Sequence, residues 1–450
     1  MPAQEESTQE ESEPVRPLPF TPRPVALSAT LAVNEAIARK RREGVRVLPL
    51  GFGEAGIPIH PALTRELGAA ADRGGYGPVA GSAALRAAAA GYWSRRGLPT
   101  DPAAIVAGPG SKPLLYALLT SLGGDVVVPS PSWVTYAAQT SLVGAEPIRV
   151  ATPRGEGGAP SPALLADAVV RARARGRDVR AVVVTLPDNP TGTLASEDTV
   201  RRVCAVARDL GLTIISDEIY RDLVHAPGRA LPSPARFAPE RTVVTTALSK
   251  SLAAGGWRLG VARLPDGPFG RALRDSLLGV ASEIWSSAPA PMQHAAAYAF
   301  AEPPELVEHV DRSRRLHAAV TSAVADRFAA AGARVTRPEA AFYVYPNFGP
   351  IREALAAGHD VRTAADLTGL LLERYGVGVL PGSSFGDPPA ALRMRVAPSQ
   401  LYGDDDEQRL AALASPAPAS LPWIASALDR LSDVLADLSE TATVGEPVPA

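Results

Sequence analysis

Lys250 closes the run Ala247-Leu248-Ser249-Lys250-Ser251 and is one of three lysines in a chain of 450 residues. Lysine and arginine together number 45, so arginine supplies 42 of those cations. A guanidinium stays protonated at ordinary pH, whereas a lysine amine in a desolvated pocket loses its proton and forms a Schiff base with an aldehyde. In such a chain the few lysines are the places to look for amine chemistry. An arginine-favouring genome also leaves few lysines, so Lys250 acquires meaning only from its neighbours.

Those neighbours stand at the ends of strands. Apolar, β-branched runs at 125–128, 181–184, 213–216 and 242–245 have the character of strands buried on both faces. Helical stretches such as 197–210 separate them, which predicts βαβ order and a largely parallel sheet. Ligands of parallel sheets bind beyond the carboxyl ends of the strands. The second run leads into Asn189-Pro190-Thr191-Gly192, the third into Asp217-Glu218-Ile219-Tyr220, and the fourth into the Lys250 segment. Three successive strands thus end in an amide, a carboxylate followed by a phenol, and an amine. Taken singly, each group has an ordinary use: a turn, a helix N-cap, a core aromatic. Upstream, Gly108-Pro109-Gly110-Ser111-Lys112 opens a helix with Pro113 in its first turn. Free backbone N–H groups there, with the helix dipole, suit a phosphate. Lys112 either supports that anion or is solvated.

Composition narrows the classes of function. With 46% hydrophobic and 20% charged residues the chain is globular rather than disordered. A formal net charge of −2 gives no electrostatic case for nucleic acid or a membrane surface. The basic run Arg171, Arg173, Arg175, Arg177, Arg180 reads as a solvated face. The single cysteine, Cys204, excludes an intrachain disulfide and fits a small buried side chain in a reducing compartment. No secretory signal and no membrane-length apolar run is visible, so the expected location is cytoplasmic. No metal site is expected.

The elements that must position these groups divide unevenly. Residues 1–23 are acidic and Pro-rich, which predicts a disordered tail. After about residue 302 the pattern changes to a long helix over 304–331. Short strands near 342–345, 377–380 and 392–397 follow, as in a smaller α+β domain. Residues 404–422 are expected to form a loop or a partly helical insertion, and 423–438 a closing amphipathic helix.

In order along the chain come Gly53-Glu54, Tyr76-Gly77, Gly110-Ser111-Lys112, Pro131-Ser132-Trp133, Asn189-Pro190-Thr191-Gly192 and Asp217-Glu218-Ile219-Tyr220. Ser249-Lys250 with Gly256-Trp257-Arg258-Leu259-Gly260, and Leu392-Arg393-Met394-Arg395, complete the series. Over about residues 25–440 this resembles the class I/II aminotransferases of pyridoxal-phosphate fold type I. The resemblance implies an α/β fold with a largely parallel seven-stranded sheet. It also implies a large cofactor-binding domain at 61–305, with the smaller domain built from 24–60 and 306–450. It implies pyridoxal 5'-phosphate as cofactor, an amino acid and a 2-oxo acid as substrates, and a homodimer.

The resemblance also implies roles. Lys250 would carry the cofactor as a Schiff base and move the Cα proton, and Asp217 would pair with the ring nitrogen. Tyr220 and Asn189 would bond the phenolic oxygen, and Trp133 would stack on the ring. Gly110, Ser111, Lys112, Ser249 and Arg258 would hold the phosphate, with Tyr76 reaching that of the neighbouring subunit. Gly53 and Asn189 would face the substrate, and Arg393 would take its α-carboxylate. Arg395 is expected to share a strand face with Arg393 and either to form a structural ion pair, the favoured reading, or to reach a second acidic group of the substrate. Ile57, Trp285, Ser286 and Tyr343 are further candidates near the pocket. Ala247 departs from the family's usual hydroxyl three residues before the lysine, and Ala55 from a common proline. A pyridoxal-phosphate lyase acting by β-elimination, of the C–S lyase type, or another carbanion reaction on an amino acid shares the same cofactor residues and stays open, as does the identity of the amino donor.

Overall fold

The computed structural model describes residues 27–443, of which 440–443 by backbone alone; the tail expected at 1–23 lies outside the described residues. After a short strand β1 (Leu48–Pro49) come β2 (Ile105–Gly108), β3 (Asp125–Ser130), β4 (Pro147–Ala151), β5 (Val179–Thr185), β6 (Thr213–Asp217), β7 (Thr242–Ala247) and β8 (Gly260–Arg263). The last seven form one sheet in the order β2-β8-β7-β6-β5-β3-β4. All pairings are parallel except those of β8, which runs antiparallel to β2 and β7. Every residue of β6 and β7 is buried, as their unbroken apolar runs require.

The four strands expected from apolar runs are β3, β5, β6 and β7. β2, β4 and β8 carry weaker signals: β4 opens on a proline and alternates burial at the sheet edge, and β8 is four residues beginning with glycine. The helix Glu197–Asp209 starts where Ser196 accepts from the Thr199 N–H and buries Val200, Val203, Cys204 and Ala207 on one side. Burial pushes the Cys204 thiol up to about 12, so it is an inert core group.

Helices of the sheet layers include Ser111–Leu122, Val134–Leu142 and Gly267–Ile284, packed on the sheet through Leu114, Leu118, Tyr136 and Leu277. A separate core joins Leu48, Leu50 and Ile57 to Phe328, Phe342, Leu371 and Leu431 from the second part of the chain. On that packing we propose a division into two domains at about residues 60 and 305. In this part β1 pairs with β9 (Val377–Gly378), and β10 (Leu380–Pro381) with β11 (Met394–Arg395). The strand expected at 342–345 is only an isolated bridge, Val344 to Val396. The stretch 404–422 holds the helix Asp406–Ala414 and a short turn Pro418–Ser420. The helix Pro304–Ala330 matches its expected span.

Candidate active site

Parallel register sets the floor of the site. Thr185 at the end of β5 stands beside Asp217 at the end of β6, which stands beside Thr245 of β7. Thr245 Oγ1 donates to Asp217 Oδ1 at 3.3 Å. On the other side Thr185 Oγ1 donates to Tyr136 Oη at 2.9 Å, and that hydroxyl donates to Asp217 Oδ2 at 2.8 Å. Asp217 is 1% exposed. Burial raises its carboxyl to about 6 against the pull of these hydroxyls.

A cavity of about 410 Å³ opens above these strand ends, and Gly53, Ser111, Lys112, Trp133, Asn189, Asp217, Tyr220, Ser249, Lys250 and Arg258 all line it. Lys250 sits in the turn after β7, and its amine donates to the Gly53 carbonyl. This amine is lowered to about 8, chiefly by burial, with Arg395 and Arg258 adding to the effect and Glu54 and Asp217 opposing it. Its Nζ lies 5.9 Å from the Tyr220 ring centre.

At one end of the cavity the helix Ser111–Leu122 begins after Gly110, whose φ of +95° favours glycine. A Cβ on Gly110 would stand 2.4 Å from Arg258 Nη2, so the missing side chain admits the guanidinium to the helix N-terminus. Arg258 itself adopts the left-handed region and donates to the Gly255 carbonyl at 2.9 Å. Lys112 Nζ lies 5.2 Å over the Trp133 ring. Burial lowers the Lys112 amine, and the Arg258 charge adds to the effect.

At the other end the arginines are arranged differently from expectation. Arg395 is 1% exposed and lines the cavity; its Nη1 donates to Asn189 Oδ1 at 3.1 Å and its Nη2 to the Gly51 carbonyl at 2.6 Å. Arg393 opens instead into a separate cleft and is paired with Asp387 at 2.9 Å. The ion pair expected for Arg395 thus belongs to Arg393. The shared strand face fails because β11 is only two residues long, and Arg393 precedes it in an isolated bridge with Asn347.

Other expected residues stay outside. Tyr76 is 93% exposed, and Ile57, Trp285 and Ser286 do not line the cavity, whereas Tyr343 does. Ala247 faces a different cleft, whereas Ser111 and Ser249 line the cavity. Neither Tyr136 nor Thr185 stands out in the sequence, and a cavity role for Arg395 stood there only behind an ion pair. Tyr136 carried one signal, its position on the first turn of the helix after Trp133.

Comparison with known proteins agrees with this geometry. Residues 50–401 match the model of the family "Aminotransferase class I and II". An aspartate aminotransferase of Geobacillus stearothermophilus is 31% identical over 372 residues, covering 80% of this chain and 90% of the relative. A probable aspartate/prephenate aminotransferase of Aquifex aeolicus is 31% identical, covering 83% and 92%. Among solved structures, the aspartate aminotransferase of Thermus thermophilus with maleate superposes with a TM-score of 0.76 at 27% identity, covering 91% and 97%. The chain belongs to the class I and II aminotransferases and moves an amino group between an amino acid and a 2-oxo acid.

Proposed function

We propose that this aminotransferase works with pyridoxal 5'-phosphate in the Lys250 cavity and takes an acidic amino acid, of the aspartate class, as its donor. The observation that carries the reading is the convergence of the Lys250 amine, the Asp217 carboxylate and the Arg395 guanidinium on one cavity. The donor set fits that cofactor. Asp217 is a buried carboxylate in no ion pair among the described residues, suited to a protonated pyridine nitrogen. Gly110, the first turn after it and Arg258 make an anion cradle that a Cβ would fill. Bound there, pyridoxal phosphate would draw electrons from the substrate Cα and acidify its proton.

The chain's own groups then divide the work. Asp217 would keep the ring nitrogen protonated, and its carboxylate is aimed by Tyr136 and Thr245. With the cofactor bound, Tyr220 and Asn189 would address its phenolic oxygen, and Trp133 would cover the ring and exclude water. Lys250, with its amine lowered to about 8, has a usable neutral fraction near neutral pH and carries the Cα proton. Arg395 takes the α-carboxylate in the role expected of Arg393, because it is the arginine in the cavity and Asn189 and Gly51 hold its orientation.

Lys112 is a further cation on the cavity wall and would take the distal carboxylate of a dicarboxylate whose α-carboxylate Arg395 holds. The names of the relatives and the maleate bound to the Thermus enzyme, itself a dicarboxylate, support this substrate class. A homodimer with Tyr76 reaching the neighbouring site is part of the reading, since so exposed a tyrosine is free to reach a partner. Among the described residues no helix is long and apolar enough to cross a membrane, and a cytoplasmic location is proposed with it.

Borohydride reduction followed by peptide mass spectrometry tests the cofactor claim. Reduced cofactor on Lys250 is expected, and reduced cofactor on another residue, or none, overturns it. A panel of amino donors scored by loss of the Lys250-bound absorbance tests the substrate class. Aspartate should react fastest; a faster aromatic or small neutral donor rejects the acidic assignment.

A further inference from the structure

Tyr343 is a buried hydroxyl at the cavity whose one described hydrogen bond goes to Tyr220 Oη, at 2.7 Å. Both tyrosines are almost wholly buried, at 1% and 3% exposed. The Tyr343 ring meets the Tyr220 ring edge-on at 5.6 Å, and the Arg395 guanidinium stands 4.9 Å from its centre. Gly53 makes room for the hydroxyl: a Cβ there would lie 2.4 Å from Tyr343 Oη. The phenol is therefore held in place on three sides, with its polar end aimed at Tyr220.

A tyrosine hydroxyl has one proton to give and lone pairs to receive another. If Tyr220 gives its proton to the phenolic oxygen of the cofactor, the proton in the Tyr343–Tyr220 bond must come from Tyr343. We infer that Tyr343 is a positioning residue that donates to Tyr220 and thereby strengthens the Tyr220 hydrogen bond to the cofactor. The inference rests on the cofactor reading above.

The chain of donors has a definite sign. A hydroxyl that accepts a hydrogen bond becomes a better donor, because the bonds polarise one another. A stronger bond from Tyr220 draws charge from the phenolic oxygen. That oxygen otherwise stabilises the proton on the adjacent nitrogen that joins Lys250 to the cofactor. Tyr343 therefore keeps the pKa of that nitrogen low, so that the unprotonated form is available near neutral pH.

The test is a pH titration of the visible absorbance of the holoenzyme. In Tyr343→Phe the titration midpoint should rise by about half to one pH unit, the range of one neutral hydrogen bond acting through another. Tyr220→Phe should raise it further, and the double variant should titrate like Tyr220→Phe alone, since Tyr343 acts through that hydroxyl. Tyr343→Met, which also deletes the hydroxyl, should repeat the direction if the phenylalanine variant loads cofactor poorly. An unchanged midpoint in the Tyr343 variants, or a double variant that adds the two shifts, overturns the inference. Absence of the visible band from the wild-type protein would instead reject the cofactor reading beneath it.

Discussion

Arg395 Nη1 reaches Asn189 Oδ1 across 3.1 Å, tying residues 206 positions apart to the same corner of the cavity. Its neighbour Arg393 is committed to Asp387 in another cleft. Arg395→Gln should lower kcat/KM for an acidic donor by roughly 100-fold or more, the worth of charge-assisted bonds to a carboxylate. Arg393→Gln should change it by less than about 5-fold, as expected of a part-exposed ion pair. Steady-state kinetics on the two variants decides between the arginines.

Lys250 should load cofactor with a pH dependence of its own. Only the neutral amine attacks an aldehyde, and burial places this amine at about 8. The rate at which the cofactor-free protein gains absorbance on adding pyridoxal phosphate should therefore rise with pH and level off above about 8. A midpoint near the ordinary lysine value of about 10.4 would contradict the desolvated site. Lys250→Arg should abolish the band.

Asp217 predicts a stability effect of the opposite kind. Its carboxyl is raised from 3.8 to about 6, so the folded protein disfavours the ionised form. That penalty is absent below the unfolded value, grows as pH rises through the window, and is complete above about 6. Asp217→Asn removes it. Denaturant unfolding of the cofactor-free proteins should show the variant's relative stability improving by up to about 3 kcal/mol between about pH 4 and pH 7. The same variant should bind cofactor more weakly. A difference that does not vary with pH would mean the carboxylate is better solvated than its burial implies.

Lys112 should sort substrates. Lys112→Gln is expected to reduce kcat/KM for aspartate by roughly 10-fold or more while leaving a neutral donor within about 3-fold, because one charge pair is lost with only one of them. Equal losses for both donors would assign Lys112 to the phosphate alone.

Much of this site was legible because parallel strands deliver their carboxyl ends to one edge. Short β-branched runs located β5, β6 and β7, and the residues that follow them, Asn189, Asp217 and Lys250, had to lie near each other once those strands paired. Tyr220 came with Asp217 in the same short segment. The Gly110–Arg258 approach was suggested by a glycine before a helix, although nothing local paired it with that arginine. Tyr76 and the Arg393–Arg395 pair were harder. Tyr76 has no contact with the cavity of its own chain, and the arginines sit at the edge of a two-residue ladder.

By itself the sequence determined the kinds of chemistry and their order: an amide, a carboxylate, a phenol and an amine at the ends of buried strands. Tertiary structure alone decided which arginine enters the cavity, that Tyr136 and Thr185 steady Asp217, and that Tyr343 backs Tyr220. Strand periodicity assigns a side chain to a face only while a regular ladder continues. Where β11 is two residues long, the direction of Arg393 is set by Asp387, six residues away, and that of Arg395 by Asn189 and Gly51, partners contributed by distant parts of the chain.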